Sequence, residues 1–240
     1  MRKPEIARHL RHMRRNWDRR ALENPRYYVA TGQQEWSDQE FYQAGEQELR
    51  DHIFNDLGNI CQGKDPKSMK VLEIGCGAGR VTAPLARFFG EVHAVDISRH
   101  MVRHARQAVA AFPNAYIYHN NGRDLTAIRR RWWHRFGLGP KLQFDFAFSC
   151  LVFQHIPSLE VIEGYVREVN RLLRPGALFK FQVQGYPEVE PETEDSWVGA
   201  PLDEESARDL ALRCGFEMRY QYGAGDQYYW LWFFKVRDAD

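Results

Sequence analysis

Cysteine is scarce in this chain: Cys61, Cys76, Cys150 and Cys214 are its four, and no pair is spaced as C-x-x-C. That pattern argues against a zinc site and against a disulfide framework, and it suits a reducing cytoplasm. Net charge is equally scarce. The 33 Lys and Arg against 32 Asp and Glu leave +1, so no overall field favours nucleic acid or an anionic membrane. No apolar run reaches membrane-spanning length, and the N-terminus lacks the apolar stretch of a signal peptide. The opening is arginine-rich instead (Arg2, Arg8, Arg11, Arg14, Arg15, Arg19, Arg20). Glu5 and Asp18 interrupt it and serine is missing from it, which favours an exposed helical face over a transit peptide. No internal repeat and no low-complexity tract occurs.

What is present is packed structure. Aromatics make up 14% of the 240 residues, a length that fits one domain with a small appendage. From residue 70 the hydrophobic period switches repeatedly. "KVLEIG", "EVHAVDI", "AYIYHN", "FDFAFSC" and "ALFKFQV" read as strands, separated by helix-like stretches such as "RVTAPLARFF", "MVRHARQAVAAF", "LTAIRRRWWHRF" and "LEVIEGYVREVNRLL". A helix "DEESARDLALRCG" and two strands, "EMRYQYG" and "YYWLWFFKV", close the chain. Strict alternation predicts a parallel sheet with helices on both faces and an antiparallel hairpin at its edge. Residues 1–65 read as two helices around an aromatic loop, "PRYYVATGQQEW", forming a cap and lid on a domain of residues 66–240. Ser37 and Glu40 have the capping-box spacing at the second helix.

The glycines of "VLEIGCGAGR" sit between the first strand and the next helix. Gly75, Gly77 and Gly79 alternate, giving E-x-G-x-G-x-G from Glu73. A dinucleotide fingerprint puts its third glycine at position 80, which is Arg80. Positions without side chains let the backbone approach a bulky ligand closely. Glu73 supplies a carboxylate for a ligand with cationic ammonium and sulfonium groups. Asp96, ending the second strand, can accept hydrogen bonds from both ribose hydroxyls. Asp96 thus marks an adenosine-type ligand, and the glycine spacing selects S-adenosylmethionine over NAD.

With these residues in place the chain resembles the class I S-adenosylmethionine-dependent methyltransferases. The likeness runs from about Lys70 to Val183 and into the terminal hairpin, and rests on "VLEIGCGAGR", "VHAVDIS", "NNGRDL", "FDFAFSCLVFQHIP" and "RLLRPGALFKFQV". It is similar to the small-molecule branch that includes the ubiquinone and menaquinone biosynthesis enzymes. The resemblance implies an α/β Rossmann-like fold with a seven-stranded, mostly parallel sheet in the order 3-2-1-4-5-7-6. It also implies S-adenosylmethionine bound by Gly75, Cys76, Gly77 and Gly79 at its methionine part, with S-adenosylhomocysteine as product. Asp96 would hold the ribose, Ile97 and Met101 the adenine, with Asn121 and Gly122 at the adenine edge. Ser149 and Leu151 would border the methionine amine and the reacting sulfur.

His155, in "FQHIP" just past the fourth strand, is the candidate general base for a hydroxyl, phenol or enol acceptor. Its alternative role is to order the loop by bonding backbone. "SCLV" stands where nucleobase amino-methyltransferases carry D/N-P-P-Y/F, and no Pro-Cys pair exists for a cytosine C5 enzyme. Ser149 and Cys150 are poor ligands for a hard cation, and Asp145 lies at the other end of its strand, so no metal is expected. Tyr27, Tyr28, Trp36, Tyr186 and Trp197 are candidates for an apolar aromatic acceptor pocket, fit for a planar acceptor or, by cation–π contact, a methylated amine. Each also reads as simple core. The stretch "IRRRWWHRFGLGPK" (128–141) is basic and aromatic. It leaves open an RNA or protein methyltransferase beside the small-molecule reading. A non-catalytic adenosine-binding module is the third possibility.

Overall fold

The computed structural model describes residues 3–129 and 142–239. Its strands are β1 (Lys70–Ile74), β2 (Glu91–Asp96), β3 (Ala115–His119), β4 (Phe144–Ser149), β5 (Leu173–Val183), β6 (Phe216–Tyr222) and β7 (Tyr229–Lys235). They form one sheet in the order β3-β2-β1-β4-β5-β7-β6. Pairing is parallel from β3 to β5, and β7 runs antiparallel to both β5 and β6. The parallel sheet with an antiparallel hairpin at its edge is what the alternating periods predict, and its seven-strand order is the one the resemblance implies.

Described helices are α1 (Lys3–Glu23), α2 (Pro25–Val29), α3 (Asp38–His52), α4 (Leu57–Cys61), α5 (Thr82–Phe88), α6 (Arg99–Ala108), α7 (Thr126–Arg129), α8 (Leu159–Leu172) and α9 (Glu204–Arg213). Three departures from the sequence reading have local causes. The aromatic loop begins as a helical turn, α2, because Asn24 Oδ1 accepts the Tyr27 N–H and Pro25 suits the first helical position. The second N-terminal helix stops at His52 and continues as the 3-10 turn Phe54–Asp56 and α4. β5 starts at Leu173, so it already includes "RPG", with Gly176 at φ +76. The capping box on α3 is complete: Ser37 Oγ accepts from Glu40 N, and Glu40 Oε2 accepts from Ser37 N. The basic-aromatic stretch lies, from residue 130 to 141, outside the described residues.

The period-2 pattern of β1 decides which side each residue feeds. Leu72 and Ile74 join the core formed with α8 (Val161, Ile162, Val166, Val169), whereas Val71 joins the opposite core with Leu85 and Phe89. β7 behaves the same way: Tyr229, Leu231 and Phe233 enter the first core, Trp230 and Phe234 the second. Burial on both faces is what a nearly continuous apolar strand requires. The N-terminal segment joins in. Leu10 and Met13 reach the first core, while Ala21, Ala30 and Phe41 pack on Ala78 and Met101. α1 to α3 therefore lie over the glycine loop and the start of α6.

A buried cation ties this segment to the sheet. Lys180 of β5 donates to the His52 carbonyl at 2.7 Å and to Asp56 Oδ2 at 2.8 Å. Trp232 Nε1 donates to the same oxygen at 2.5 Å, and its ring lies 4.4 Å from the ammonium. Replacing one partner strands the other in a poor solvent, at a cost of about 3–5 kcal/mol. Lys180→Met is therefore expected to lower Tm by about 10 °C in a thermal melt, at roughly 2–4 °C per kcal/mol for this size. A shift within about 2 °C contradicts the tie.

Candidate active site

The sheet's carboxyl edge opens where β1 and β4 part, the crevice that parallel sheets offer to ligands. At the end of β1 the chain turns sharply. Gly75 N and Cys76 N both donate to the Val95 carbonyl, at 2.8 and 3.0 Å, and Gly79 N closes back on Cys76 O at 2.9 Å. Gly75 (φ +75) and Gly77 (φ +52) take conformations that favour glycine. A Cβ on Gly75 would stand 2.3 Å from Val152 Cγ2, and one on Gly77 would stand 2.7 Å from Val29 Cγ1. Bare backbone here thus also lets the β4 exit and the α2 turn close in.

Asp96 clasps that turn. Its Oδ2 accepts the Gly77 N–H at 2.9 Å and its Oδ1 the Ser98 N–H at 2.8 Å. Burial pushes its carboxyl up to about 6, against the pull of those two amides. Glu73 is buried too, accepts from the Thr82 hydroxyl at 2.6 Å, and is pushed by burial up to about 7. Two carboxyls with raised proton affinity at one cleft form a site that favours an incoming cation.

Among the residues expected at the donor site, Glu73, Gly75, Cys76, Gly77, Asp96, Ile97, Met101 and Leu151 line this one cleft, with Tyr28 and His155. Gly79 does not. A Cβ there would meet Ala105 Cα and Ala108 Cβ at 2.9 Å, so the third glycine is spent on α6 packing close. Ser149 faces away and donates to the Ile74 carbonyl at 2.9 Å, tying β4 to β1. Asn121 turns its Oδ1 to the amides of Arg123 and Asp124 and shapes the bend after β3. Gly122, at φ +78, is packed under Ile97. Cys76 is a buried thiol with its pKa driven well up by burial, which leaves it unreactive.

The aromatic candidates divide as well. Trp36 gives its indole N–H to the Ala30 carbonyl and packs edge-on against Phe41, so it is core. Tyr27 stacks edge-on against Tyr28, outside the cleft, and Tyr186 is exposed. Trp197 lines a second cavity that shares Tyr28, Val29, Leu151 and His155 with the first. His155 has both ring nitrogens engaged. Nδ1 donates to the Trp197 carbonyl at 2.5 Å and Nε2 accepts from Gln154 Nε2 at 3.1 Å. Burial, only partly offset by that carbonyl, pulls the imidazole down to about 4.

Several lining residues were not among the sequence candidates: Met13 and Trp17 from α1, Arg80, Asn120, Val152 and Tyr165. Asn120 is the most informative. Its Nδ2 donates to the Tyr165 hydroxyl at 2.8 Å, while its buried Oδ1 has no partner. An unpaired buried acceptor in a cleft calls for a donor from a ligand. Doubled asparagine before the glycine was a visible cue, but not which of the two faces inward. Among the described residues, Glu48, His52 and Cys150 come together as potential metal ligands. They already bond one another, and Glu48 also accepts from Arg80 Nη2 at 3.1 Å. Against the upward push of burial, His52 and Arg80 bring the Glu48 carboxyl down to about 2.

Residues 72–179 match a family model described as a methyltransferase domain. Over 162 residues the chain is 23% identical to the dTDP-3-amino-3,4,6-trideoxy-alpha-D-glucopyranose N,N-dimethyltransferase of Streptomyces venezuelae, a match covering 65% of this chain and 59% of that protein. The stretch from residue 72 to 179 is thus similar to the domain that such methyltransferases share. Demethylmenaquinone methyltransferase of Staphylococcus aureus (strain MRSA252) is 25% identical over 115 residues, 47% of this chain and 42% of that one. The chain thus spans less than two thirds of these curated relatives' length. The crystal structure of magnesium protoporphyrin IX methyltransferase from Synechocystis PCC 6803 with bound SAH superposes with a TM-score of 0.64. It is 18% identical and covers 93% of this chain and 98% of that one, a likeness of fold.

The turn after β1 depends on Gly75. Gly75→Ala brings both a strained φ and a collision with Val152, and is expected to cost about 1–3 kcal/mol in a denaturant titration. A loss below about 0.5 kcal/mol contradicts the close approach drawn above.

Proposed function

We propose that this chain is a methyltransferase that passes the methyl group of S-adenosylmethionine to a small-molecule acceptor. The observation that carries the reading is Asp96. It spans the β1 turn and the start of α6 by accepting from the Gly77 and Ser98 amides, and it lines the cleft. A ribose diol would donate to its carboxylate. The unpaired Asn120 Oδ1 fits an exocyclic amine, and Ile97 and Met101 offer apolar faces for the base. Glu73 and Asp96 supply negative charge for the ligand's cationic end.

When bound, S-adenosylmethionine supplies a methyl group on a positively charged sulfur, so its leaving group is already activated. The protein's work is to align the acceptor and exclude water. Trp17 and Tyr28 close over the cleft from the N-terminal segment, which we read as its lid. Leu151 adopts φ +58 and gives its N–H to Gln182 Oε1 at 3.0 Å, fixing the β4 exit beside the second cavity. We read that cavity as the acceptor site. His155 here is a positioning residue rather than a base: its lone pair is engaged by Gln154, and its N–H holds the Trp197 loop. The relatives' names are those of small-molecule enzymes and lend no support to a macromolecular or non-catalytic reading. Among the described residues no helix is long and apolar enough to cross a membrane. A cytoplasmic location belongs to this proposal.

Two measurements test it. Folded Asp96 holds its proton up to about pH 6, above its unfolded value, so without ligand its contribution to stability declines as pH rises from about 4 to 6. The diol prefers the carboxylate, so affinity for S-adenosylhomocysteine, read by calorimetry, is expected to rise as pH climbs through 6 and level off by about 7. Asp96→Asn should flatten that profile and weaken binding by about tenfold or more. No binding by the unaltered chain would refute the reading. His155→Ala is expected to raise the acceptor KM several-fold while kcat against pH shows no inflection between 6 and 7. An inflection there that the substitution abolishes would restore His155 as the base.

A further inference from the structure

The aromatic cage expected to attract a methylated amine is already filled. Arg20 of α1 places its guanidinium carbon 4.9 Å from the ring centroids of both Trp17 and Trp197, and 5.8 Å from that of Tyr28. Its side chain is nearly inaccessible and is held by Asp195, through a carboxylate contact at 2.9 Å and the Asp195 carbonyl at 2.9 Å. The protein's own cation therefore occupies the faces that a ligand cation would seek.

The second cavity lies against this cage and shares Tyr28, Val29, Leu151 and His155 with the donor cleft. None of its lining residues is Asp, Glu, Lys or Arg. Its polar wall is made of amides and hydroxyls, from Gln154, Gln184, Gln227, Thr31 and Tyr228, beside the indole of Trp197. Gln184 is buried, lines the cavity, and accepts the Tyr186 N–H on Oε1 at 3.0 Å. Gln154 is locked between Gln182 Nε2 at 2.6 Å and His155. Such a wall can exchange hydrogen bonds with a neutral ligand. It has no counter-charge for an ion that gives up its water there.

We propose that this cavity takes an uncharged, hydrogen-bonding ring as methyl acceptor, seated beside Trp197, and that Arg20 bars cationic acceptors. The assignment rests on the methyltransferase reading. A neutral ring matches these features: an aromatic neighbour in Trp197, amides for hydroxyl or carbonyl substituents, and a wall shared with the donor cleft. An ammonium acceptor meets Arg20 at the cage. A carboxylate or phosphate finds no cation free to receive it, because Arg20 is engaged by Asp195 behind the rings.

The test loads the full chain with S-adenosylhomocysteine and titrates three probes of one shape by calorimetry: 4-hydroxybenzyl alcohol, 4-hydroxybenzylamine and 4-hydroxybenzoate. The alcohol is expected to bind about tenfold or more tightly than either charged probe. Gln184→Glu puts a carboxylate into the wall without touching the donor cleft. It is expected to reverse the order of alcohol and amine while affinity for S-adenosylhomocysteine stays within about twofold. Equal or tighter binding of the amine or the benzoate by the unaltered chain overturns the proposal, as does no binding of the alcohol. That ranking decides even if the variant fails to fold. Failure to take up S-adenosylhomocysteine at all is a separate result, and refutes the methyltransferase reading instead.

Discussion

The clasp between Asp96 and the Gly77 amide is the contact on which the site depends. β1 and β2 are neighbours in register, with Ile74 opposite Val95, so their exits lie side by side. The glycine turn leaves β1 with its amides pointing inward, and two of them are satisfied by the Val95 carbonyl. The Gly77 amide takes the carboxylate that ends β2, and the same carboxylate caps the approach to α6 through Ser98. Three elements are thereby joined by one side chain. The arrangement has a cost: a carboxyl raised to about 6 is one whose charge the empty fold does not fully stabilise. Strain of this kind at a ligand edge is offset when the ligand supplies donors.

How much of this could be read in the sequence follows from the range of the interactions. Both faces of β7, the Ser37 cap and the place of Asp96 at the end of β2 are matters of period or of local spacing, and each is legible. The strand order is not among them: it follows from the family resemblance, because period does not say which strands lie side by side. The roles of Gly79 and Ser149 are not legible either, because what they touch is far along the chain: Ala105 and Ala108 for one, the Ile74 carbonyl for the other. A glycine repeat announces close approach without naming what approaches. Likewise an "NNG" triplet announces a bend, but only the backbone direction after β3 decides that Asn120 faces the cleft while Asn121 serves the turn. Trp36 and Trp197 look alike in the sequence. One finds a carbonyl six residues away and becomes core, and the other is held at the cavity by His155.

Arg20 shows why composition misleads most at such sites. In the sequence it is one of seven arginines in an amphipathic opening, and nothing separates it from Arg19. In the fold, Arg19 is exposed and Arg20 is buried among three rings. Burying a guanidinium is unfavourable unless its donors are met, and here they are met by Asp195 and by the carbonyls of Asp195 and Ser196. The loop that supplies those acceptors is the loop that carries Trp197, and His155 holds the Trp197 carbonyl from the other side.

The same loop is therefore anchored twice, from α1 and from the β4 exit. Neither anchor is a general feature of a parallel sheet, and both converge within a few residues of the cavity wall. A wall fixed in this way loses little conformational freedom when a ligand arrives, so its recognition is set in advance by shape and by the absence of charge. The consequence reaches back to the N-terminal segment. Because Trp17 and Arg20 both belong to α1, one helix borders the cleft and braces the wall of the second cavity. On the function proposed above, a chain that lost its first helix would lose selectivity and water exclusion together.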